Sequence, residues 1–141
     1  HKGGSLGRNL LLVKDVMVTG KKIPIIDRKK TIGQAIKVIS SKKLGLVLVT
    51  NKSKVFSICT DGDARRGLGN YSKKDKIEKI AKRNPLKIDE DTTANKALSV
   101  MNQKKITSLV VSSKSGKIRG ICHIHHLLSH GIKYCFQSAV R

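Results

Sequence analysis

Ile32, Ala35, Ile36 and Ile39 fall on one face of a helix of 3.6-residue period, and Thr31 with Gln34 forms a T-x-x-Q capping box at its start. Behind Thr93, the set Ala94, Ala97, Leu98 and Met101 repeats the pattern 62 residues further on. Each helix is followed by a lysine-bearing link and then a compact apolar run, residues 46–49 in one copy and 109–111 in the other, which reads as a buried strand. A polar turn comes next, one residue longer in the second copy, and leads into strands at 55–59 and 118–122. The offset is then 63, and Ile58-Cys59 falls on Ile121-Cys122. With short strands expected at 23–26 and 86–88 and a short final helix in each copy, both halves read β-α-β-β-α.

A unit of about sixty residues buries only about 60% of its unfolded surface and is marginal alone. Two such repeats are therefore expected to pack pseudo-symmetrically into one α/β module of the α+β type, with any ligand cleft between them. The predicted division is a lead-in over residues 1–13, a first repeat over 14–72, a linker helix and second repeat over 73–132, and a tail over 133–141 without periodicity.

Charge changes the picture less than its size suggests. The 141-residue chain has a formal net charge of +21, and lysine outnumbers arginine 23 to 7. The lysines are spread in ones and twos where solvated faces and turns would fall, and stacking rings are limited to Phe56, Tyr71, Tyr134 and Phe136. Specific nucleic-acid recognition is thus not expected, whereas salt-sensitive, nonspecific adhesion is. The chain has no run of eighteen apolar residues and no apolar signal segment, so no membrane partner and a cytoplasmic location are expected. Cys59, Cys122 and Cys135 are odd in number and lack C-x-x-C spacing, and they read as reduced thiols, two of them buried.

The stretch "TDGDARRG", residues 60–67, concentrates the candidate chemistry. As a calcium site it offers too few oxygens, since no further acid follows before Asp75. As a catalytic acid pair it lacks a neighbouring nucleophile or base, and Arg65 and Arg66 would keep both carboxylates ionised. Asp63 could simply be the N-cap of a helix beginning at Ala64. It could equally accept hydrogen bonds from a ribose diol beside Thr60, with the helix start and Arg65 or Arg66 meeting phosphate. The last two readings are compatible.

The doubled strand-helix-strand-strand-helix order, with "T-D-G-D" where the third strand enters its helix, resembles a tandem pair of cystathionine-β-synthase (CBS) domains, a Bateman module, over residues 14 to about 131. The words "VKDVMVTGKKIPII", "KKLGLVLVTN", "KITSLVV" and "GICHIHHLL" further resemble the regulatory half of bacterial D-arabinose-5-phosphate isomerases, which supply the precursor of Kdo for lipopolysaccharide. "HKGGSLGR" is similar to the H-P-G-G-x-L-G-R segment closing the sugar-isomerase (SIS) domain of that family, with Lys2 in place of proline. By that resemblance residues 1–13 are the end of a SIS domain, and His1 matches an isomerase active-site histidine.

What the resemblance implies is regulatory. Thr60 and Asp63 match the nucleotide-ribose ligands of the CBS motif, and Arg65 and Arg66 lie beside them. In the second copy His123 and His126 stand at the corresponding positions. An imidazole cannot clamp a diol as a carboxylate does, though both could face a phosphate, with Arg119 lining the same pocket. His123 and His125 alternate along a strand end, and His126 and His130 are spaced i, i+4, which makes all four weak candidates for zinc; no metal is expected. The chain is expected to have no catalytic activity of its own and to require no cofactor. Its regulatory ligand would be a nucleotide or nucleotide sugar, the cytidine-activated Kdo end product (CMP-Kdo) or an adenine nucleotide. Its partners would be its own SIS domain and a second copy in a homodimer. A ligand-free dimerisation module and a basic nucleic-acid-binding protein are the rival readings.

Overall fold

The computed structural model describes residues 11–133. In chain order these form α1 (Val13–Val16), a 3-10 turn (Gly20–Lys22), β1 (Ile25–Asp27), α2 (Ile32–Lys42), β2 (Leu46–Asn51), β3 (Lys54–Thr60) and α3 (Asp61–Gly67). A second 3-10 turn (Ile77–Lys79) follows, then β4 (Lys82–Arg83), β5 (Lys87–Asp89), α4 (Ala94–Lys104), β6 (Ser108–Ser112), β7 (Ile118–His123) and α5 (Ile124–Ser129). Both copies thus have the expected mixed α+β order.

The chain divides into two compact units, one over residues 20–86 and the other over 11–19 and 87–133 among the described residues. In the first unit the sheet order is β1-β2-β3-β4, with β1 parallel to β2 and the remaining pairs antiparallel. The β2–β3 hairpin turns on two residues, Lys52 and Ser53, both at positive φ (52° and 69°), the geometry whose twist suits a tight hairpin. Ile32, Ala35 and Ile39 of α2 bury against Val47, Val49 and Cys59 of the sheet, as the helical period required. The Thr31 hydroxyl accepts from the Gln34 N–H at 3.1 Å, and the Gln34 side chain accepts from the Thr31 N–H at 2.9 Å, so the capping box forms.

The second unit carries β5-β6-β7, again parallel then antiparallel, with Ala94, Ala97, Leu98 and Met101 of α4 buried against it. Thr93 caps α4 by accepting from the Lys96 N–H at 3.2 Å. The reciprocal half of the box is missing because residue 96 is lysine rather than glutamine.

The units do not follow the repeat boundaries read from the sequence. Val13 and Val16 belong to the core of the second unit, while Ile77 belongs to that of the first. The expected linker helix after residue 73 is instead a 3-10 turn and the edge strand β4, both inside the first unit. The reason lies in backbone pairing. Ile77 N–H donates to Lys30 C=O at 2.8 Å and Ile32 N–H to Asp75 C=O at 2.8 Å, while in the other unit Val13 N–H donates to Thr92 C=O at 2.8 Å and Ala94 N–H to Leu11 C=O at 2.7 Å. Segment 11–18 thus plays for the second repeat the part that 75–82 plays for the first. Each repeat is completed by the stretch that precedes the other one.

Candidate functional site

At the end of β3 the chain turns directly into α3, and this corner holds the residues singled out by "TDGDARRG". Thr60 is the N-cap: its hydroxyl accepts from the Asp63 N–H at 3.1 Å, and Asp63 Oδ2 accepts from the Thr60 N–H at 3.0 Å. This corrects the expectation that Asp63 caps a helix starting at Ala64. Asp63 is the third residue of a helix beginning at Asp61, and its carboxylate reaches back as the second half of a capping box. A threonine in extended conformation with an acid three residues on satisfies two orphan N–H groups, so the box wins over a lone aspartate cap.

The other oxygen of Asp63 is engaged as well. Arg66 Nη2 lies 2.8 Å and Lys82 Nζ 3.2 Å from Oδ1. The carboxylate itself is buried, its side chain 5% exposed beneath two cations that are each 70% exposed. Burial alone would raise the Asp63 pKa, but the Thr60 backbone and hydroxyl, Lys82 and Arg66 outweigh it and hold the carboxyl below its usual range. Gly62 makes room for this. A Cβ there would stand 3.1 Å from Arg66 Nη1, and its absence lets the guanidinium fold back over the first turn. Arg65 points elsewhere, 75% exposed and paired with Asp61 at 3.2 Å.

Nothing in the sequence singles out Lys82. It follows Asp63 by nineteen residues, and only the pairing of β4 with β3, Ile58 opposite Lys82 and Ser57 opposite Arg83, brings it to the corner. A local signal for it does not exist.

The corresponding corner of the second unit is built differently. His123 is the N-cap of α5, its Nδ1 accepting from the His125 N–H at 3.1 Å. Its ring stands 4.9 Å from that of His125 and 5.9 Å from that of His126, centroid to centroid. Burial, then the neighbouring His125 and His126, push the His123 pKa down. Arg119, four residues before His123 on β7, bonds Glu90 at 3.3 Å. His130 turns its Nδ1 to the His126 carbonyl at 2.7 Å. Among the described residues no three histidine, cysteine, aspartate or glutamate side chains gather where a metal ion could be held, so His123, His125, His126 and His130 do not assemble a zinc site.

Cys59 and Cys122 are free and buried, and burial raises each thiol to about 12. Neither is a nucleophile at neutral pH. His1 and Cys135 lie outside the described residues. No described helix is long and apolar enough to cross a membrane.

Two β-α-β-β-α repeats with a capped, cation-covered carboxylate at a strand-to-helix corner define a class, and comparison with known proteins agrees. The CBS domain family matches residues 77–133. Residues 77–133 are therefore a CBS domain. Over 136 residues it is 35% identical to arabinose 5-phosphate isomerase KdsD of Salmonella typhi, with 94% of this chain and 41% of that protein covered. The chain therefore spans about two fifths of the length of the curated relatives it matches. Among solved structures, an uncharacterized conserved protein from Pyrococcus horikoshii superposes with a TM-score of 0.76 at 21% identity, covering 90% of this chain and 96% of that one. CBSX2 in complex with AMP superposes at 0.70 with 16% identity, covering 84% and 94%. These likenesses establish the CBS fold.

Proposed function

We propose that this chain is the regulatory CBS pair of an arabinose-5-phosphate isomerase, a cytoplasmic enzyme that feeds Kdo and lipopolysaccharide synthesis, and that it senses a nucleotide or nucleotide sugar at the β3–α3 corner. Catalysis belongs to a SIS domain outside the described residues, and the working form is a homodimer. The observation that carries the reading is the Asp63 carboxylate, buried yet covered only by two long, exposed cations. A ribose diol can take the place of Arg66 and Lys82 on Oδ1 while Oδ2 keeps its bond to the Thr60 N–H. The displaced guanidinium and ammonium are then free to meet the ligand's phosphate. In that exchange both Asp63 oxygens keep hydrogen-bond donors, hydroxyls replacing the two cations on Oδ1, so the buried carboxylate is not left unsatisfied. The AMP held by one structural relative and the isomerase activity of the sequence relatives support the ligand class and the pathway.

CMP-Kdo is the first ligand to try and adenine nucleotides the second, by titration calorimetry. Asp63→Asn is expected to weaken binding about ten- to a hundredfold, the cost of a charge-assisted pair of hydrogen bonds. Lys82→Ala, which leaves the capping box and the Arg66 pair intact, should weaken binding with a smaller loss of stability than Asp63→Asn; His126→Ala should change affinity less than either. Heat of binding that is undiminished in Lys82→Ala and Asp63→Asn would remove the corner from consideration. No binding by the parent to any nucleotide at millimolar concentration would leave the chain a dimerisation module.

A further inference from the structure

In the first unit the turn leading into α2, residues 28–33, runs antiparallel to residues 73–79. Ile32 N–H donates to Asp75 C=O at 2.8 Å, Gly33 N–H to Lys73 C=O at 3.0 Å and Ile77 N–H to Lys30 C=O at 2.8 Å, with Thr31 and Lys76 directly opposite. Two lysine clusters far apart in sequence are thereby set side by side. Lys29 and Lys30 come from one segment and Lys73, Lys74, Lys76 and Lys79 from the other, and all six are exposed. The ribbon's two carboxylates are already engaged. Asp75 accepts from the Ser72 N–H at 2.8 Å, and Glu78 pairs with Arg28 at 2.9 Å.

The second unit contains an internal control. Its matching ribbon, residues 11–15 against 90–95, is built on the same backbone bonds but carries one cation, Lys14, against Asp15, Glu90 and Asp91. A general lysine bias of composition would load both ribbons alike. The charge is on one ribbon only, and the fold does not demand it there.

We propose that the lysine ribbon of the first unit is a docking track for the phosphate backbone of a nucleic-acid duplex, independent of base sequence. Lysine meets phosphate as a point charge, and the ribbon's one arginine is bound to Glu78, so nothing in it reads bases. Lys73 and Lys74 lie in the turn before the bridge at Lys76, and Lys79 ends the 3-10 turn after it, so four cations are grouped on this one short segment. Duplex DNA presents a charge every ~1.7 Å of axis, roughly twice the density that an extended acidic peptide can offer at ~3.3 Å per residue. A lipid surface is disfavoured because insertion needs an apolar face. Of the exposed large apolar residues in this unit, Ile25, Tyr71 and Leu86, only Tyr71 adjoins the ribbon.

The test is fluorescence anisotropy of a labelled duplex of about 20 base pairs against the chain, from about 50 to 200 mM salt, with anionic vesicles and polyglutamate as competitors. The triple variant Lys30→Glu, Lys74→Glu, Lys76→Glu is compared with Lys42→Glu, Lys52→Glu, Lys54→Glu, which makes the same charge change elsewhere in the unit. The ribbon variant should lose at least about tenfold in affinity at low salt, and its log–log salt slope should flatten by about three, one for each phosphate that a lysine no longer neutralises. The second triple should lose less than about threefold. Melting curves establish that both variants fold, and single Lys74→Glu and Lys76→Glu variants serve in place of a triple that does not. Equal losses in the two variants, no duplex binding by the parent at about 50 mM salt, or tighter binding to vesicles or polyglutamate than to duplex would each overturn the proposal.

Discussion

Val18 and Ile121 exchange two backbone hydrogen bonds, Val18 N–H to Ile121 C=O at 2.9 Å and Ile121 N–H to Val18 C=O at 3.1 Å, though 103 positions separate them. This bridge covers the outer edge of β7 as β4 covers β3 in the other unit. The two repeats are completed by exchanged segments, and that has a direct consequence for truncation. A fragment of residues 20–86 contains the whole first unit, whereas a fragment of 14–72 lacks Ile77, which is 0% exposed, and the β4 edge. The first is expected to melt cooperatively and the second to show no cooperative transition, as read by circular dichroism. Cooperative melting of the 14–72 fragment would contradict the exchange.

Gly120 sits under the Val18 bridge. A Cβ at this position would collide with the Val18 carbonyl oxygen, a backbone atom of the bridge itself, and would push the Met17 side chain aside. Gly120→Ala should therefore destabilise the chain by about 1–3 kcal/mol, the usual cost of overpacking, or open the bridge. Gly116→Ala, in open space at φ +92°, strains only its own turn. Denaturant melts of the two variants separate these causes, since hydrogen exchange at Val18 and Ile121 should quicken in Gly120→Ala alone.

The Asp63 carboxylate sets an acid limit. Its folded pKa is depressed below the ordinary 3.8, so its contribution to stability is complete above that value and is lost as pH falls through the folded pKa. Asp63→Asn keeps the shape but loses both ion pairs, and should cost about 1–3 kcal/mol at pH 7. The difference between parent and variant should shrink on going from pH 5 to pH 2. A gap that stays constant with pH would show that the carboxylate's charge contributes nothing.

His123 works at a different pH. Its folded pKa lies below 6.5, so the unfolded chain takes up the proton first, and stability falls as pH drops below about 6.5 until the folded value is passed. Protonation also removes the Nδ1 lone pair that caps α5. His123→Thr, which installs the capping residue of the first unit, is expected to melt at the same temperature at pH 7 and at pH 5.5 more nearly than the parent does. A parent melting point independent of pH across this range would refute the role of His123.

Local chemistry announced itself in the sequence because it acts over three or four residues. The helix faces at Ile32 and Ala94 and the Thr31–Gln34 box depend on helical periodicity and on N–H groups that must find acceptors nearby, so spacing alone revealed the repeat, whereas the Thr60–Asp63 box emerged only with the structure. The role within the corner was less legible: Asp63 read as the N-cap, and the structure gives that place to Thr60 because the helix already begins at Asp61. What only the tertiary structure decided is long-range pairing: Lys82 over Asp63, Arg119 on Glu90, the lysines of 29–30 against those of 73–79, and the exchange of segments 11–18 and 75–82. The physical reason is the same in each case. A short segment such as Lys82–Arg83 or Val13–Val16 has too few residues to show a period, and its backbone bonds to whichever open strand edge the rest of the chain leaves within reach.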